Sequence, residues 1–160
     1  MEFTYLKTEM SQHEMVLNQM GGKVEVIRGI MVYVKFDINN TSIEYVYHIN
    51  NADNYFLQRI SPYPMIMGTF ATKDEIIKVI RYDMDQFRNA AKSTMFESFI
   101  EIHKGFHTSL RHFEDLYLYY NVPHDVFDNL VEEISRIEEL IKDCKSKSKR
   151  VYFKKDPDTI

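Results

Sequence analysis

The chain has 160 residues, a formal charge of −4 and a hydrophobic share of 44% that includes 11 Phe and 11 Tyr. That is enough for one domain, or for a small domain with an appended helical bundle, and at 28% charged residues the composition excludes general disorder. No run of about 18 apolar residues exists, so no membrane association is expected.

Cys144 is the one cysteine, which excludes an internal disulfide. Met1-Glu2-Phe3-Thr4-Tyr5 lacks the basic start and apolar run of a secretory leader. Both features point to a reducing, cytoplasmic setting. The wealth of Ile, Lys, Asn and Tyr, all with AT-rich codons, suits a bacterial or phage source. The charge is uneven. Residues 145–160 hold six Lys and Arg against two Asp, and the rest holds 14 against 22 acids. An acidic body does not advertise nucleic-acid binding, so only the tail is a candidate for it.

Ser11-Gln12-His13-Glu14 has the form of a capping box and predicts a short helix, with Met15, Leu17 and Met20 on its buried side and Gly21-Gly22 as its stop. The period then changes to two. Val24, Val26, Ile30, Val32, Val34, Phe36 and Ile38 alternate with polar residues and predict a half-buried strand, with Gly29 marking a bulge. Asn39-Asn40 is a turn into a second strand carrying Ile43, Tyr45, Tyr47 and Ile49. A further turn at residues 50–54 leads to strands at 55–60 and 65–70, separated by Ser61-Pro62-Tyr63-Pro64, where Tyr63-Pro64 is a candidate cis bond.

Thr72-Lys73-Asp74-Glu75 is a second capping box and opens a helical half. Three apolar stripes follow at alternating steps of three and four: Ile77, Ile80, Met84, Phe87 and Ala91; Phe106, Leu110, Phe113, Tyr117 and Tyr120; and Phe127, Leu130, Ile134, Ile137, Ile141 and Cys144. Such steps keep side chains on one line of a helix, and that line is expected to be buried against a partner. Ser93-Thr94 and Gly105 are the weak points. Pro123 opens the last helix, and Asn121-Val122-Pro123 makes the final two helices an antiparallel hairpin.

The expected fold is therefore α+β. A short N-terminal helix precedes an antiparallel meander of about four strands, followed by a C-terminal helical bundle or layer of three to four helices. Residues 1–71 form the helix and meander, 72–145 a helical region packed on it or on a partner, and 146–160 a basic flexible tail.

Three places carry candidate chemistry. His103, His107 and Glu114 fall on one helical face if the helix passes unbroken through Gly105, and two imidazoles with a carboxylate can hold a divalent metal for hydrolysis. No Glu follows His103, so the zinc-protease pattern is not formed. Lys147, Lys149, Arg150, Tyr152, Phe153 and Lys154 combine charge with rings, as a single-stranded nucleic-acid clamp does; the same tail has the charge to fold back on the acidic body. Leu116-Tyr117-Leu118-Tyr119-Tyr120 is apolar around more of the helix than one stripe needs. Tyr117, Leu118, Tyr119 and Tyr120 are thus interface candidates, for another protein or for a second copy.

Asp83-Met84-Asp85 and Glu114-Asp115 are acidic clusters of a kind that can bind Mg²⁺ with a substrate phosphate, but carboxylates on exposed helix faces are far more often solvated, and that is the reading preferred. Phosphate-binding glycine motifs are absent, and no cofactor is expected. A non-catalytic protein-binding or regulatory protein ranks first, its partner being another protein or, in a homodimeric version, a second copy through the C-terminal helices. A metal-dependent hydrolase or metal-binding protein ranks second, and a nucleic-acid-binding regulator third.

Overall fold

The first helix, α1 (Glu2–Gln19), begins upstream of the capping box that the sequence suggests. Ser11 lies within it, and its hydroxyl donates to the Lys7 carbonyl at 3.0 Å, so it is not available as a cap. The stop lies where expected. Gly21 adopts φ +91° and donates to the Asn18 carbonyl, while Gly22 donates to Leu17, the paired bonds that close a helix around a left-handed glycine. Met15, Leu17 and Met20, assigned above to a buried side, stay exposed because no other element closes over them. The computed structural model describes residues 2–26, 29–50 and 54–160.

Four strands follow: β1 (Gly29–Ile38), β2 (Thr41–Asn50), β3 (Tyr55–Ser61) and β4 (Met65–Phe70). They pair in sequence order as an antiparallel meander. Val24 and Val26 lie before the sheet, so the first strand is shorter than its alternation implies. Gly29 is not a bulge. It pairs with Asn50 in an unbroken register, and a Cβ there would collide with the Ile49 carbonyl oxygen and the His48 ring. The irregularities fall instead at Glu44/Tyr45 and at Leu57/Gln58. Asn39 and Asn40 both take positive φ, 47° and 63°, giving the two-residue turn whose twist matches the flanking strands. The expected turn at 50–54 falls largely on residues 51–53, outside the described residues. The cis bond is at Ser61-Pro62, one X-Pro bond earlier than the candidate.

Alternation puts Val34, Phe36, Ile43, Tyr45, Tyr47, Leu57 and Arg59 on one sheet face. Helix α2 (Lys73–Ala90) lies over that face, and the first turns of α3 (Phe96–Tyr119) complete the core with Phe96 and Ile100. The second capping box is formed: Glu75 N–H donates to the Thr72 hydroxyl, and the Glu75 carboxylate accepts from the Thr72 and Ala71 N–H groups. The buried line of α2 is Ile76, Ile80, Asp83, Met84 and Phe87. It is turned slightly from the expected stripe, so Ile77 is exposed. Residues 91–95 separate α2 from α3, and the drift near Ser93 is a true helix break. Gly105 is not one; α3 runs through it, and a Cβ there would meet nothing within 4 Å. Pro123 caps α4 (His124–Lys147).

Candidate functional site

Two features stand out from the core: an open apolar surface on α3 and α4, and a buried ionic cluster under α2. The surface comes from the stripes. On α3 the stripe is buried only at its start, by Phe96 and Ile100. Beyond residue 104 every residue of α3 is exposed, including Phe106, Leu110 and Phe113. The helices meet where Phe127 packs edge-on against Phe113 and Tyr117, with ring centroids 6.0 and 5.8 Å apart. Along the rest of α4, Ile134, Ile137, Leu140 and Ile141 remain open. The interface candidates Tyr117, Leu118, Tyr119 and Tyr120 are 61%, 67%, 79% and 70% exposed.

The accessible surface of the chain gives the scale. It is 13244 Å², whereas a compact monomer of 19.1 kDa exposes about 8,400 Å². The excess is about 4,800 Å². Compact monomers rarely leave contiguous apolar patches beyond a few hundred Å².

The ionic cluster is set by two periodicities. Arg59 follows Tyr55 and Leu57 on the inward face of β3, and Asp83 lies on the inward line of α2 between Ile80 and Phe87. Arg59 Nη1 donates to both Asp83 oxygens, at 2.7 and 2.8 Å, and the Tyr45 hydroxyl donates to Asp83 Oδ2 at 2.6 Å. The guanidinium lies 4.6 Å from the Tyr63 ring centre and 4.8 Å from that of Phe87. Its Nε is buried without a hydrogen-bond partner. Burial, then the bond to Asp83, raises the Tyr45 hydroxyl pKa, so it stays a donor. Arg59, Tyr63, Asp83 and Phe87 line a cleft of about 530 Å³, within the size range of ligand sites. Asp83 balances the Arg59 charge, and Lys155, which also lines the cleft, pairs with Asp158.

Asp83 was read above as part of a solvated acidic cluster; it is buried because Arg59 faces it across the core. Opposite charges on two faces that otherwise read as apolar were the signal, and neither position reveals it alone.

His103 stacks on Tyr63, with ring centres 3.9 Å apart and planes 3° from parallel. Burial, and then the Arg59 charge, lowers its pKa. His107 and Glu114 are exposed farther along α3. Among the described residues no group of three His, Cys, Asp or Glu side chains is placed to hold a metal ion, so His103, His107 and Glu114 are not brought together as a site.

The tail lies against the body. Lys154 bonds Asp85 at 2.7 Å, and Asn89 donates to the Val151 carbonyl. Lys147 pairs with Asp143, Arg150 with Asp156, and Lys155 with Asp158. The Tyr152 hydroxyl is buried without a partner, and Phe153 is exposed with the Arg150 guanidinium over its ring. Lys149 is exposed. Of the six tail candidates, Lys147, Arg150 and Lys154 are thus engaged by carboxylates of this chain.

Among the described residues no helix is long and apolar enough to cross a membrane. Compared with protein-family models, curated proteins and solved structures, the chain matches none.

Proposed function

We propose that this chain is a non-catalytic, cytoplasmic protein-binding or regulatory protein that works through the apolar surface of α3 and α4. The observation that carries this is the open stripe, from Phe106 on α3 to Tyr120 just past its end and from Ile134 to Ile141 on α4. Hydrophobic association is the main force by which proteins bind one another, and it scales with apolar area removed from water. Tyrosines suit the rim of such a contact, being apolar along the ring and polar at the tip. The small α+β body then serves as a rigid base, its core filled by α2 and its ionic pair closed. A reducing compartment suits the exposed, single Cys144. The separated His103, His107 and Glu114, and the carboxylate-paired tail, give less support to metal chemistry or to nucleic-acid binding.

The test is covalent cross-linking in cells expressing the tagged chain, beside a Leu118→Glu/Leu140→Glu double variant. Both positions are more than 60% exposed and outside the core. A discrete heavier species is expected with the parent chain and not with the variant. A parent chain that yields no heavier species contradicts the proposal.

A further inference from the structure

Resting on the protein-binding reading above, we propose that the occupant of the α4 stripe is a second copy of this chain. The two α4 helices lie antiparallel about a twofold axis that passes midway between Ile134 and Ile137.

The stripe itself sets the register. Phe127, Leu130, Ile134, Ile137, Ile141 and Cys144 step by three, four, three, four and three, a series that is the same in either direction. Laid antiparallel on itself, it matches Phe127 to Cys144, Leu130 to Ile141 and Ile134 to Ile137, with every apolar side chain opposite another. Val131 and Leu140, 63% and 68% exposed, flank the seam on its two opposite sides. They widen it beyond a two-stranded stripe and leave apolar surface for α3 of each copy, as in a four-helix bundle.

Charge favours the same orientation. The first half of α4 carries Asp125, Asp128, Glu132 and Glu133 and no Lys or Arg, while in its second half Arg136, Lys142, Lys145 and Lys147 outnumber Glu138, Glu139 and Asp143. An antiparallel pair sets each half of net charge −4 beside the partner's half of net charge +1; a parallel pair would set the two −4 halves side by side. Shape agrees as well. Leu140, Ile141 and Cys144 share a groove with Pro157 and Ile160 of the tail, and the register brings Leu130 of the other copy there.

Cys144, exposed and the sole cysteine, permits a direct test on the full chain. Spin labels on Cys144 of two antiparallel copies are separated by 17 residues of helix, about 25 Å along the axis. A dipolar distance distribution centred near that value, broadened by the label arms, is expected. A distribution under about 15 Å means parallel helices and overturns the proposal. No intermolecular dipolar signal, with a 19.1 kDa mass by light scattering of the unlabelled chain at the same concentration, also overturns it. That result sinks the second copy alone: the cross-linking experiment in cells still decides whether a different protein sits on the stripe.

Ile137→Glu is expected to give a monomer with unchanged helix content. Ile137 is outside the core, and Leu140→Glu serves as the second variant should the first fail to fold. A dimer that survives both substitutions overturns the proposal.

Discussion

Asp83 is held by Arg59 and Tyr45 where water scarcely reaches. Removing one member of a buried ion pair strands the other charge, which costs more than the pair itself contributes. Asp83→Ala is therefore expected to destabilise the fold by about 3–5 kcal/mol in urea unfolding. An Arg59→Met/Asp83→Leu double variant should recover most of that loss, because an apolar replacement of both partners leaves no buried charge. Equal losses in single and double variants would show that the pair is not what holds α2 to β3.

His103 has a pH signature. Its pKa is lowered by burial and by Arg59, so the fold favours the neutral ring. That contribution is complete above the unfolded value of about 6.5 and is lost as pH falls through the lower folded value. The urea midpoint is expected to drop as pH falls below about 6.5. His103→Phe, which keeps a ring against Tyr63, should flatten the drop; an unchanged slope would assign it to other groups.

At the level of elements, α3 contains a residue that weakens it. Gly105 lies in mid-helix with open space where a Cβ would go. Gly105→Ala should stabilise the chain by about 0.5–1 kcal/mol in thermal or urea unfolding. A loss of stability would mean that a partner's backbone approaches there. The tail is an element of another kind, held by few contacts. The hydrogen bond from Lys154 lowers the Asp85 pKa, and Asp85 in turn raises that of Lys154. The pair's contribution is present above the ordinary carboxylate range and is lost as pH falls through the depressed Asp85 value; at high pH it is lost through the raised Lys154 value. In Lys154→Ala, the Asp85 carboxyl is expected to titrate higher by NMR, nearer an ordinary aspartate. An unmoved titration would place the tail free of α2.

The elements were legible in the sequence where a period and a punctuation signal coincide. Alternation with Asn39-Asn40 gave the β1–β2 hairpin, Thr72 to Glu75 gave the start of α2, and Pro123 gave that of α4. Ser11 misled because a capping residue and a mid-helix serine are identical on paper; the hydroxyl's choice of Lys7 decides it. The Arg59–Asp83 pair was not legible, since each of the two looks like a surface charge until β3 and α2 face one another.

For the whole molecule, the apolar stripes of α3 and α4 were legible as helical faces, but what covers them was not. Three-four spacing says that a stripe seeks a partner and does not say whether that partner lies in the same chain. Here the body takes the α2 stripe and the first turns of α3, and leaves α4 open. Sedimentation velocity of the full chain, over a dilution series from about 100 μM to 1 μM, tests this most directly, because association is governed by mass action. A mass of twice 19.1 kDa at the concentrated end, falling toward the single-chain value on dilution or on Ile137→Glu substitution, is the expected result. A mass of 19.1 kDa throughout, with the open stripe stable in water by itself, would contradict it.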